Sequence, residues 1–168
     1  MALEIERRFL LTGGGWRSLA GETQSLRQGY LAASADGVTV RIRLRGAEAA
    51  WLTLKASADA VGLVRHEFEY AIPVADAELL LTLAPHRVEK TRFALSLAGG
   101  DWVVDQFAAR NGPLLLAEVE LPSAQVPVEI PPWCGPEITG DGRWSNAALA
   151  QRPLQDWPET ERQAFGYA

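Results

Sequence analysis

The chain has 168 residues, 48% of them hydrophobic, with a formal charge of −5 and a pI near 5.1. That length suits one domain over residues 1–168 with a real core, and the acidic balance speaks against broad nucleic-acid or anionic-membrane binding, which needs a basic surface. Cys134 is the single cysteine, so an intramolecular disulfide and a thiol zinc cluster are both excluded, and a reducing cytoplasm fits.

The N-terminus enters a charged strand at once, with no apolar run of signal-peptide or transmembrane length. In this first strand Glu4, Glu6 and Arg8 fall on one face and Leu3, Ile5 and Phe9 on the other. Gly13, Gly14 and Gly15 break the pattern, a short helical piece is expected over residues 16–20, and a second extended run over 26–32. Asp36 and Gly37 mark a turn. Residues 38–45 form the clearest strand, with Val38, Val40, Ile42 and Leu44 opposed to Thr39, Arg41, Arg43 and Arg45. Residues 50–56 set Leu52 and Leu54 against Trp51, Thr53 and Lys55, and residues 64–70 set His66, Phe68 and Tyr70 against Arg65, Glu67 and Glu69. His66 thereby reads as a part-buried histidine rather than a metal ligand.

Pro73 closes that strand, and a helix is predicted over 75–83, stopped by Pro85. Strands are predicted over 87–97, 101–107 and 114–121, carrying Lys90 and Arg92, Asp105, and Glu118 and Glu120. The Pro-rich stretch 122–136 reads as an ordered surface connection. A last short helix starts at Ser145, a good N-cap, and ends before Pro153.

Nearly every strand thus carries charge on one face, and the rows are dominated by Arg and carboxylates at matched spacing. A closed, eight-stranded antiparallel barrel with flanking helices and a charged, wet lumen accommodates all of them together, giving a mainly β (α+β) fold. Within such a lumen Arg8, Arg41, Arg43, Arg45, Lys55, Arg65, Lys90 and Arg92 stand against Glu4, Glu6, Glu67, Glu69, Asp105, Glu118 and Glu120. Arginine grips phosphate with a planar fork of donors. The carboxylates reduce the cost of an empty cationic lumen and are hard oxygen ligands, suited to Mg²⁺ or Mn²⁺ rather than zinc. Several cations with a carboxylate-bound divalent ion are what phosphoryl transfer needs, so the expected substrate carries a linear polyphosphate group.

The segments EIERRF, RQGYL, TVRIRL, WLTLK, RHEFEY, VEKTRF, WVVDQF, LAEVEL and ITGDGRWSNAALA, in that order, resemble the CYTH-domain family, also called triphosphate tunnel metalloenzymes. The resemblance covers nearly the whole chain and is nearest to the small bacterial inorganic triphosphatases. It implies an eight-stranded tunnel and hydrolysis of inorganic triphosphate with Mg²⁺ or Mn²⁺. It further implies that Glu4, Glu6, Glu118 and Glu120 serve the metal and that Arg41, Arg43, Lys55, Lys90 and Arg92 grip the triphosphate. Glu67, Glu69 and Asp105 would complete the carboxylate lining. The last lysine of the family's ExExK signature is Arg8 here, and Tyr30 stands where a tyrosine is thought to work with that lysine, so Arg8 and Tyr30 are the candidate catalytic pair. Thiamine or nucleoside triphosphate hydrolysis, adenylyl cyclase chemistry, and a polyphosphate- or nucleotide-binding module stay open, as does a homo-oligomer.

Overall fold

Alternation along the strands decides the architecture. The computed structural model describes residues 5–33, 37–57, 65–123 and 125–168, so Glu4, Asp36, Val64 and the Arg65 side chain, on which parts of the sequence reading fall, lie outside the described residues. The strands are β1 (Glu6–Leu11), β2 (Ala20–Ala32), β3 (Thr39–Arg45), β4 (Ala49–Ser57), β5 (Arg65–Ile72), β6 (His86–Leu95), β7 (Asp101–Phe107), β8 (Leu115–Glu120) and β9 (Cys134–Glu137). They form one nine-stranded sheet in the order β5-β4-β3-β2-β6-β7-β8-β1-β9, antiparallel at every pairing.

The extra strand relative to the expected eight is β9, in the tail of the Pro-rich connection. It pairs with β1 through Phe9↔Glu137 and Leu11↔Cys134, so that connection ends on the sheet. Among the described residues the hydrogen-bonded ladder leaves β5 and β9 as edges. The sheet is nevertheless strongly curled. Tyr30 on β2 feels the charge of Arg8 on β1, Arg92 on β6 feels Glu6 on β1, and Arg43 on β3 feels Arg92 and Glu69. Charges from strands far apart in the order therefore share one interior, as the tunnel expectation requires.

The apolar faces are covered from outside by two separate pieces. Helix α1 (Val74–Leu83) lays Ala77 and Leu81 on Ile42, Leu44 and Ala50. It can approach β2 because position 29 is glycine; a Cβ there would stand 2.7 Å from Ala84 and Leu81. The 3-10 turn Gly15–Leu19 puts Trp16, fully buried, over Phe9, Trp102, Val104, Ala117 and Val119, with Trp133 of the Pro-rich stretch beside it.

The third cluster corrects the expectation of an interior lined by charge throughout. Leu10, Val88, Phe107 and Leu116 share strand parity with Arg8, Lys90, Asp105 and Glu118, so they face the same interior. Together with Tyr30 they pack against Trp144, Leu149, Leu154 and Trp157. These come from the C-terminal segment, which holds α2 (Asn146–Gln151) and α3 (Glu159–Ala164). Ser145 caps α2 as expected, its hydroxyl accepting from the Ala148 amide at 3.1 Å. Trp144 lies between Trp157 and Phe165, with ring centroids 4.7 and 4.9 Å away, a packing in which aromatic pairs add to plain burial. One part of the interior is thus filled with hydrocarbon and the remainder with charge. No helix among the described residues is long and apolar enough to cross a membrane.

Candidate active site

Burial and pairing divide the charged side chains into distinct groups. At the centre of one group is Asp105, fully buried on β7. It accepts from Lys90 Nζ, from Arg92 Nε at 2.7 Å and from Arg92 Nη2 at 2.8 Å. Burial alone would raise its pKa, but the Lys90 charge and the Arg92 hydrogen bonds overcome this and hold the carboxyl down at about 2. Burial pulls the Lys90 ammonium below its ordinary range, with the Asp105 charge acting against it. Its Nζ also donates to Asn146 Oδ1 at 3.2 Å, at the start of α2.

Glu118 continues this network. One oxygen accepts from Arg92 Nη2 at 2.7 Å and the other from Arg8 Nε at 3.1 Å. Arg8 Nη2 donates in turn to the carbonyl of Trp144 at 3.1 Å, which ties the strand to the C-terminal segment. Glu6 approaches Arg8 at 4.0 Å. Glu6 and Glu120 are exposed and stand directly opposite each other in the β1–β8 register, with Arg8 opposite Glu118 two residues on.

The second group lies on β3, β4 and β5. Arg41 is buried, and its Nη2 donates to Thr53 Oγ1 at 3.0 Å and to Glu69 Oε2 at 3.4 Å, while Glu67 is 3.8 Å away. Thr53 Oγ1 donates to Glu69 at 2.9 Å, and Lys55 Nζ pairs with Glu67 at 3.2 Å. Tyr30 is 4% exposed; burial raises its pKa, with Arg41, Arg43 and Arg8 pulling the other way.

Arg43 differs from all of these. It makes no ion pair among the described residues, and its Nε is buried without a hydrogen-bond partner. Burial lowers its pKa to about 10, helped by the neighbouring charges of Arg41 and Arg92. A guanidinium so placed has only the more distant charge of Glu69 to offset it and room in its hydrogen-bonding shell for an anion.

Most of the expected residues are therefore brought to one interior, with Glu6, Glu69 and Glu120 exposed, while Glu4 and the Arg65 side chain lie outside the described residues. Sequence reasoning missed three groups that contact the expected residues, Thr53, Asn146 and the Trp144 carbonyl, and a fourth residue, Gln28, that stands in register with Arg43. Thr53 shares parity with Lys55 and Gln28 shares parity with Tyr30, so strand alternation could have found those two. Trp51, on the same face as Lys55, carries the Arg45 guanidinium over its ring at 5.3 Å.

Comparison with known proteins bears on the same arrangement. The sequence profile of the CYTH domain matches residues 2–133. The chain belongs to the CYTH-domain family. An inorganic triphosphatase of Acetivibrio thermocellus is 35% identical over 161 residues, 95% of this chain and 100% of that protein. An inorganic triphosphatase of Nitrosomonas europaea is 40% identical over 153 residues, 88% and 96% of the two chains. The crystal structure of an inorganic triphosphatase superposes with a TM-score of 0.66 at 37% identity, covering 89% of this chain and 95% of that one. A Pyrococcus furiosus protein shares the fold at 17% identity and a TM-score of 0.56, over 73% and 81% of the chains. The CYTH match ends at residue 133, yet Trp144 and Asn146 beyond it touch Arg8 and Lys90.

Proposed function

We propose that this protein is a hydrolase of inorganic triphosphate that works with Mg²⁺ or Mn²⁺. The observation that carries the reading is Arg43: a half-buried cation with no ion pair among the described residues and a buried, unpartnered Nε, beside Arg41 and Arg92, in an interior sealed on one side by hydrocarbon. A chain of phosphates supplies the missing negative charge and the missing acceptors. Arg41, Arg43 and Lys55 hold the polyphosphate from one side, with Lys90 and Arg92 placed by Asp105 on the other. Relatives of the same length, 35–40% identical, are inorganic triphosphatases.

The residues present fit a hard divalent cation. Glu6 and Glu120 are set directly opposite each other, an arrangement in which two carboxylates repel, and Glu118 follows on the same face. All are oxygen donors. Among the described residues no three such groups already converge, and Glu4 would be the further ligand by strand parity. When bound, the ion neutralises charge on the leaving phosphate and activates water. The protein's own part is to fix the phosphates in line for attack by water, to surround the developing charge with Arg41, Arg43 and Arg92, and to limit bulk water with the C-terminal segment. Arg45 over the Trp51 ring occupies a face on which a base or thiazole would otherwise stack, which favours a bare polyphosphate.

The test is phosphate release from tripolyphosphate, thiamine triphosphate and ATP, each with Mg²⁺, with Mn²⁺ and with chelator. Tripolyphosphate should be turned over fastest, and chelator should abolish release. Full turnover in chelator would remove the metal from the reading; preference for an organic triphosphate would move the substrate; binding without release would make the protein a polyphosphate-binding module.

A further inference from the structure

Strand β2 presents Gln24, Leu26, Gln28 and Tyr30 to the interior, in register with Arg43 of β3 and Val88 of β6 on either side of Gln28. Gln28 is 1% exposed, and both its Oε1 and its Nε2 are buried without a hydrogen-bond partner. Folded proteins pair the great majority of such groups, because an unmade bond leaves the full desolvation cost standing. Leu26 and Val88 show that this face accepts hydrocarbon, so packing alone does not call for an amide. Two other orphaned side-chain nitrogens adjoin it, Arg43 Nε directly across the strand pair and Arg41 Nε next but one on β3, while a third, Trp144 Nε1, lies in the hydrocarbon part of the interior. Within the charged part of the interior the unsatisfied donors are thus concentrated at the β2–β3 pair, while Asp105 and Glu118 are paired with Lys90, Arg92 and Arg8.

We infer that Gln28 is a further substrate-contacting residue: its Nε2 donates to a phosphoryl oxygen that Arg43 also holds, and its Oε1 accepts a hydrogen from a water molecule beside that phosphoryl group. A phosphate oxygen only accepts, so it complements the amide nitrogen and the guanidinium and leaves the amide oxygen for a donor, which water supplies. The pairing of a neutral donor with a cation is chemically sensible here. It adds a directed hydrogen bond without adding to the mutual repulsion of Arg41, Arg43 and Arg92.

The inference rests on the triphosphate reading, and the experiment separates the two. Wild type, Gln28→Met and Gln28→Glu are compared by melting temperature, by the shift in melting temperature that tripolyphosphate produces in chelator, and by steady-state kinetics. Gln28→Met keeps the length and removes the orphaned atoms. It should melt no lower than wild type, lose most of the ligand-induced shift, and need about tenfold or more tripolyphosphate for half-maximal rate, the size of one lost hydrogen bond to a charged group. Gln28→Glu should be weaker still at neutral pH and recover as falling pH protonates the new carboxyl, a behaviour that a purely structural amide would not give. The two substitutions put different demands on folding, one removing a polar group and the other burying a charge, so one folded variant suffices. If either folds with a ligand-induced shift and half-saturating concentration within twofold of wild type, the amide only holds a buried water and the inference is overturned, while the triphosphatase reading stands. If wild type neither releases phosphate from tripolyphosphate nor is stabilised by it, both fall.

Discussion

The interior has two walls of the same chemistry in opposite states. On β1, β6, β7 and β8 the cations Arg8, Lys90 and Arg92 are matched by Asp105 and Glu118, the two arginines through hydrogen bonds of 2.7–3.1 Å. On β2 and β3, Arg43 has no ion pair among the described residues, Arg41 is held through one terminal nitrogen with its Nε bare, and Gln28 is unpaired at both ends. A satisfied network resists change and orients its members; an unsatisfied one is at a free-energy disadvantage until a ligand arrives. The first wall therefore reads as a framework that fixes Lys90 and Arg92 in place before a ligand arrives, and the second as a receptor completed only by the ligand. Charge content alone does not distinguish them, since both are rows of arginine.

The comparison breaks most visibly at Asp105. Asp105→Asn leaves Lys90 and Arg92 buried against a neutral amide, and removing one partner of such a cluster costs about 3–5 kcal/mol. Urea unfolding at pH 7 measures this. Acid adds a second readout. The folded carboxyl is held at about 2, below the unfolded value near 3.9, so its contribution is complete above the unfolded value and is lost as pH falls from about 4 towards 2. Melting curves across that window should fall more steeply for wild type than for Asp105→Asn. A variant of normal stability would mean that the first wall is not framework.

Arg43→Met tests the other wall and should move the two observables apart. The folded pKa of Arg43 is depressed to about 10 by burial, so the unfolded chain holds that proton more tightly. The cation therefore costs stability at every pH below about 10, and the cost is released only as pH rises from there towards the unfolded value. The variant should melt at or above the wild-type temperature at pH 7. Its kcat/KM for tripolyphosphate should fall about 10- to 150-fold, the equivalent of about 1.5–3 kcal/mol for a charge-assisted contact. A large loss of stability with unchanged kinetics would transfer Arg43 to the framework.

How much of this was legible in the sequence depends on whether a residue announces itself by period. The charged rows of β3 and β8 alternate so regularly that strand and face could be read from them, whereas β6 carries charge on both faces, with Arg87 and Glu89 opposed to Lys90 and Arg92. Residues 20–25 of β2 carry no such alternation; their strand state comes from pairing with β6, as in Thr23↔Phe93. Strand β9, with the sequence CGPE, has no pattern at all and exists because the edge of β1 is available to it. The hydrophobic part of the interior was hidden for another reason. Leu10, Leu116 and Phe107 alternate like any strand residues, and only the arrival of Trp144 and Trp157 from the C-terminal segment shows that they point inward. Gln28 is neutral and solitary, so nothing but its buried, unpaired state marks it.

The smallest expected effect sharpens the comparison at Arg8, where the family lysine is replaced. Arg8 belongs to the satisfied wall, its guanidinium spent on Glu118 and on the Trp144 carbonyl. Lysine keeps the charge and loses the fork, so Arg8→Lys should give up one of those two bonds, about 1 kcal/mol of stability, and change kcat/KM by no more than a few fold. The alternative is a lysine that exchanges a proton with Tyr30. Burial raises the Tyr30 pKa above its usual value, against the pull of Arg41, Arg43 and Arg8, so the phenol is protonated at neutral pH and serves there as a hydrogen-bonding group. On the proposed metal-dependent reading a bound divalent ion would supply the activation of water, and no side-chain base would be required. The pH–rate profiles of wild type, Arg8→Lys and Arg8→Lys with Tyr30→Phe distinguish the cases. Profiles of one shape keep Arg8 in the framework. A large alkaline gain in Arg8→Lys that vanishes when Tyr30 is also replaced would put a proton relay on the wall assigned to structure, and the division into framework and receptor would have to be redrawn.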